Sequence, residues 1–297
     1  MSSLTFYIVD VFAETKYTGN QLAVFTGSTG DLSDAQMQQI AREINYSETT
    51  FILSTNTRNG GYDVRIFTPQ TELPFAGHPT LGTAFILQQE ILQTAIATLS
   101  LNLKVGQIPV SFDYGTAGAE VVWMQQPAPT FGQILDPAAI AAALGLNPAA
   151  IDPRFPIQEV STGVPFIIVP LQTQADLKAA RVNRELYFQQ VESLTAKEVL
   201  LFCPQTYDPA NTLSVRVFAD YLGIPEDPAT GSANGCLAGY LVNYRYWGDT
   251  ILDIRVEQGH EINRPSLLLL KAQQQATAEI TVLVGGRVLL IARGEFL

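Results

Sequence analysis

The sequence predicts an α+β chain of two similar halves, each a sheet wrapped around a central buried helix. Three observations carry this. The chain repeats itself: Val64-Arg65-Ile66-Phe67 matches Val215-Arg216-Val217-Phe218 at an offset of 151. The Gly-led helix starts Gly77-His78-Pro79-Thr80-Leu81-Gly82 and Gly231-Ser232-Ala233-Asn234-Gly235 follow at 154. Earlier blocks match too, Gly19–Val24 with Gly163–Ile168 at 144 and Glu48–Ile52 with Glu198–Phe202 at 150. Offsets that rise along the chain are what a duplication with small insertions leaves. The helices after Gly77 and Gly231 are apolar nearly all round, which marks a buried helix. At 297 residues, 47% hydrophobic and 15% charged, the chain can fill two cores.

The elements follow in order. Leu4 to Phe12 is rich in β-branched and aromatic residues and reads as a strand, as do Gln21 to Phe25 and Thr50 to Leu53. Ser33 is a fitting N-cap for a helix with the apolar stripe Met37, Ile40, Ala41 and Ile44. Tyr62 to Phe67 alternates as a strand, and a second helix begins near Pro79. Gly118 and the run Gln125 to Pro129 mark the crossover between halves, expected as 1–118 and 119–287. In the second half Pro137 to Leu144 is a short helix stopped by Gly145, and Phe166 to Val169 is a buried strand. The helix after Gly231 carries Gly235 and Gly239, four apart, a spacing that admits another backbone at close range. Pro74 and Pro225 pair at 151, which places a three-residue insertion around Glu226-Asp227-Pro228. Ile280 to Val284, Gly285-Gly286 and Arg287 to Ala292 read as a hairpin with a Gly-Gly turn.

A net charge of -11 repels phosphate backbones, which argues against nucleic-acid partners. Met1-Ser2-Ser3 leads directly into a strand-like run without a basic and then apolar leader, so no signal peptide is expected. No apolar run is long enough for a membrane span, and the expected compartment is the cytoplasm. Cys203 and Cys236 lack metal-ligand spacing and read as small buried hydrophobes. There is no GxGxxG after a strand, no P-loop and no ligand cluster, so neither cofactor nor metal is expected.

Two similar halves meeting face to face are expected to form a cleft, the usual place for a small ligand. Each Gly-led helix start presents free N–H groups and the positive end of a dipole. Two such ends would hold a carboxylate in a protein whose overall field repels one.

Gly19-Asn20-Gln21-Leu22-Ala23-Val24-Phe25, Ser47-Glu48-Thr49, Arg65-Ile66-Phe67-Thr68-Pro69, Glu72 to Gly82 and Glu226 to Ala233 stand in the order and spacing of one family. Gln258-Gly259 followed by Arg264-Pro265-Ser266 adds a further motif. Across essentially the whole chain these blocks resemble the PhzF-like phenazine-biosynthesis isomerases, related in fold to diaminopimelate epimerase. The resemblance implies two pseudo-symmetric diaminopimelate epimerase-like domains, each a β-barrel-like sheet around a central helix, with the site between them, a C-terminal strand (288–297) returning to the first domain, and a homodimer. It implies Glu48 as the catalytic acid/base, with His78, Asp227 and Ser232 holding substrate and tuning its protonation. Gly77, Gly231 and Ala233 are then substrate contacts, and the substrate is a small anionic carboxylate.

The residues fit those roles. Moving a proton between carbons needs a group that takes it and returns it, and a carboxylate in apolar surroundings does so. Epimerases and proline racemases of this fold use two cysteines, which stand here as Ala76 and Thr230. Two-thiol racemisation is therefore excluded. The expected function is a cofactor-independent isomerase that moves a proton between carbons of a small cyclic or unsaturated carboxylate; the resemblance implies one like trans-2,3-dihydro-3-hydroxyanthranilate. The rival is a non-catalytic ligand-binding or interaction protein that kept the site without turnover.

Overall fold

The computed structural model describes residues 4–116 and 118–297; the lead Met1-Ser2-Ser3 and Ala117 lie outside the described residues. The chain divides into two compact units, one of residues 1–125 with 285–297, the other of residues 126–284. Among the described residues no helix is long and apolar enough to cross a membrane.

The first unit contains β1 (Leu4–Val11), β2 (Asn20–Thr26), α1 (Asp34–Ile44), β3 (Glu48–Ile52), β4 (Tyr62–Phe67), β5 (Glu72–Leu73), α2 (Gly77–Ile86), β6 (Thr98–Leu103), β7 (Gly106–Gly115) and β8 (Gly118–Gln126). Ser33 and Gln36 form a capping box that starts α1. Met37 and Ala41 then pack on Phe25, Phe51 and Phe67 of the sheet. Every residue of α2 is buried. Gly82 permits its close approach to the sheet, because a Cβ there would stand 2.6 Å from Leu22 Cδ2.

The second unit contains β9 (Thr130–Leu135), α3 (Pro137–Ala143), β10 (Ile157–Ser161), β11 (Pro165–Pro170), α4 (Gln174–Ala179), α5 (Arg184–Val191), β12 (Glu198–Cys203), β13 (Leu213–Ala219), β14 (Ile224–Asp227), α6 (Gly231–Asn243), β15 (Ile251–Gln258), β16 (Ser266–Gln274) and β17 (Ile280–Gly286). Helix α6 is buried along nearly its whole length. The last strand, β18 (Val288–Phe296), pairs antiparallel with β1 from Leu4↔Phe296 to Val11↔Val288.

The repeat is visible in the ladders. Parallel β2–β3 aligns Leu22 with Glu48, and parallel β11–β12 aligns Phe166 with Glu198. Antiparallel β3–β4 sets Phe51 opposite Arg65, and β12–β13 sets Leu201 opposite Arg216. Both arginines grip a glutamate with two bonds, Arg65 on Glu72 at 2.8 and 2.6 Å and Arg216 on Glu226 at 2.9 and 2.7 Å. Each guanidinium also lies over a phenylalanine ring, Phe67 at 5.0 Å and Phe218 at 4.7 Å.

The structure corrects three sequence readings. Ile66 pairs with Leu73 and Val217 with Asp227, so Asp227 occupies the register of Leu73. The inserted residues therefore precede Glu226, around the turn at Asp220–Leu222 and Gly223, and Pro228 rather than Pro225 matches Pro74. Gly285 and Gly286 are not a turn: both lie within β17 and neither has a positive φ. A Cβ on Gly285 would stand 2.3 Å from the Trp123 ring, so this glycine makes room for an indole. Gly235 and Gly239 admit side chains instead of a backbone. A Cβ on Gly235 would fall 1.8 Å from Gln126 Oε1, and one on Gly239 2.7 Å from the Pro129 ring.

Candidate active site

In the first unit Glu48 opens β3, with its side chain 13% exposed. Strand alternation puts Glu48 on the face of Thr50, whose hydroxyl lies 2.8 Å from that of Thr83 on α2. The Glu48 carboxyl thus faces the first turn of the same helix. His78, the second residue of α2, brings Nε2 to 3.4 Å from Glu48 Oε2. That separation is longer than a well-made hydrogen bond.

Burial lowers the His78 pKa to about 3, with a backbone hydrogen bond at Gln21 working against it. The imidazole is therefore neutral near pH 7, and its contact with Glu48 is not an ion pair. A neutral ring carries one N–H and one lone pair; its N–H is given to the Gln21 backbone, so Nε2 turns its lone pair towards the Glu48 carboxyl.

In the second unit Asp227 ends β14, is buried, and accepts a 2.5 Å hydrogen bond from the Thr230 hydroxyl at Oδ2. Gly231, Ser232 and Ala233 form the first turn of α6, all of them buried. Gly77 and Gly231 each occupy the first position of their helix. Neither N-cap side chain, Ala76 or Thr230, caps its helix. The N–H groups of both first turns thus have no competition from a capping hydroxyl.

Glu48 and His78 therefore meet within one unit, and Asp227 adjoins the helix start that carries Ser232 within the other. Glu198, the ladder counterpart of Glu48, is also buried, and desolvation raises its pKa to about 7. Cys203 and Cys236 are free and buried, and desolvation pushes both thiols up to about 11. Among the described residues no group of three His, Cys, Asp or Glu is placed to hold a metal ion.

Sequence reasoning missed the residues that hold the α6 start. Gln126 Nε2 donates to the Gly231 carbonyl at 2.9 Å, and its Oε1 accepts from Thr162 Oγ1 at 2.5 Å. Gln258 reaches Thr230, Asn234 and the Asp227 carbonyl. The Gln258-Gly259 motif was the available signal for the second; nothing near Gln126 signalled the first.

The family model for phenazine biosynthesis-like proteins, PhzC-PhzF, matches residues 9–294. The chain is 34% identical over 292 residues to trans-2,3-dihydro-3-hydroxyanthranilate isomerase of Pseudomonas aeruginosa, covering 98% of each chain. Its structure is similar to that of a Bacillus anthracis phenazine biosynthesis protein of the PhzF family, with a TM-score of 0.90, 27% identity and full coverage of both chains. A probable proline racemase from Agrobacterium radiobacter shares the fold, with a TM-score of 0.65 at 12% identity over 99% of this chain and 93% of that one. The chain belongs to the PhzC-PhzF family of phenazine biosynthesis-like proteins and is a PhzF-like isomerase of the diaminopimelate epimerase-like fold.

Proposed function

We propose that this isomerase works without a cofactor and moves a proton between carbons of a small cyclic or unsaturated carboxylate, with Glu48 as the acid/base. The observation that carries the reading is the part-buried Glu48 carboxyl beside a His78 ring kept neutral by burial. By analogy with the Pseudomonas relative, the reference substrate is trans-2,3-dihydro-3-hydroxyanthranilate. Glu48 takes the proton from C3 and returns it to C1, and the resulting enol tautomerises to the ketone. Asp227 and Ser232 hold the substrate's polar groups, and the first-turn N–H groups at Gly77, Gly231 and Ala233 favour its negative charge.

The test is turnover in deuterium oxide. Wild-type protein incorporates solvent deuterium at C1, whereas Glu48→Gln lowers kcat by roughly a hundredfold to ten-thousandfold. Unchanged turnover in Glu48→Gln removes it as the acid/base; binding without exchange at any pH favours a ligand-binding protein. The proposal includes a cytoplasmic homodimer. Light scattering that returns the 32.4 kDa mass of one chain would rule out the dimer.

A further inference from the structure

The Gln258-Gly259 and Arg264-Pro265-Ser266 motif has no part in the reaction as proposed, yet it is built against Asp227. Gln258 is almost fully buried and closes the antiparallel β15–β16 pair opposite Ser266. Gly259, at φ 79, lets the chain turn there: a Cβ would meet Arg264 O at 2.4 Å and Pro228 O at 2.6 Å. Arg264 N–H donates to the Gly259 carbonyl at 3.0 Å, and Ser266 Oγ donates to the Arg264 carbonyl at 2.9 Å. This turn aims the Gln258 amide at the segment 227–230.

The direction of each bond can be assigned. Gln258 Oε1 faces the Thr230 N–H at 3.2 Å, and a backbone N–H can only donate. Gln258 Nε2 faces the Asp227 carbonyl at 2.8 Å, and a carbonyl can only accept. The amide therefore has one orientation. The same Nε2 lies 3.1 Å from Thr230 Oγ1, so that hydroxyl accepts from it. The single hydroxyl hydrogen of Thr230 is left to point at Asp227 Oδ2, 2.5 Å away. This also explains why Thr230, a residue type that usually caps a helix through its side chain, does not cap α6.

We propose that Thr230 is a positioning residue, held in one orientation by Gln258, that keeps Oδ2 of Asp227 a permanent hydrogen-bond acceptor. The inference rests on the proposed reaction only for its kinetic consequence. The position that carries a thiol in the two-cysteine enzymes of this fold here carries a hydroxyl that steers a neighbour instead of attacking carbon.

The experiment follows the Asp227 carboxyl by ¹³C NMR in aspartate-labelled protein, its signal identified by loss in Asp227→Asn. Removing a donor from a carboxylate disfavours the charged form, so Thr230→Val moves the Asp227 titration upward and Thr230→Ser restores it. Thr230→Ala gives the same upward shift and serves if the valine variant fails to fold. In turnover, Thr230→Val lowers kcat/KM by about tenfold, and Thr230→Ser recovers it. An unmoved Asp227 titration in both Thr230→Val and Thr230→Ala overturns the steering chain, whatever happens to turnover. A moved titration with unchanged turnover supports the chain and instead overturns the place of Asp227 in the proposed reaction.

Discussion

Glu48 and Glu198 stand at one position in two copies of a ladder, yet only Glu48 has a histidine against it. Their surroundings give the protein two opposed pH responses. Between about pH 3 and 6.5 the unfolded chain protonates the His78 ring and the folded chain does not, so stability falls as pH drops through that window. Between 4.5 and about 7 folded Glu198 keeps a proton that the unfolded chain has lost, so stability falls as pH rises through that window. Denaturant midpoints measured across both windows check this. His78→Gln flattens the acid limb relative to wild type, and Glu198→Gln flattens the neutral limb; parallel curves for all three proteins would refute both assignments. The sequence marked Glu48 and His78 separately by motif. Their meeting was not legible, because the chain between them runs through β3, β4, β5 and a helix start, with no periodicity linking the pair.

At the scale of elements, the two buried helices were legible because a helix apolar on every side has few places to go. What packs on them was not, since a glycine in a sequence does not say what needs its missing side chain. Gly235 makes the point. Helix propensity alone favours alanine there by about 1 kcal/mol. The Gln126 carboxamide occupies the space, so Gly235→Ala must displace it from Gly231 and Thr162. A net destabilisation of about 1–3 kcal/mol is expected, read by urea melts, and a stabilised Gly235→Ala would contradict the packing. The Gly285-Gly286 pair misled for the same reason: turn chemistry and room for Trp123 look alike in one dimension. The insertion was misplaced because matching prolines outweighed the ladder register, which only backbone pairing reveals.

At the scale of the whole molecule, the second unit is one continuous stretch, 126–284, whereas the first is assembled from both sides of it. Residues 126–284 expressed alone are expected to fold, while residues 1–125 alone lack β18 and leave the β1 edge open to aggregation. Dispersed amide resonances for 126–284 and precipitation of 1–125 are the expected readouts; an unfolded 126–284 fragment would refute the division. The β1–β18 ladder also decides how the molecule yields to force. Leu4 stands opposite Phe296, so a tether pulled between those two residues loads one hydrogen bond at a time and opens the pair as a zipper. A tether pulled between Leu4 and Val288 loads the whole ladder in shear. Single-molecule extension should therefore find a weak direction and a strong one in the same pair of strands.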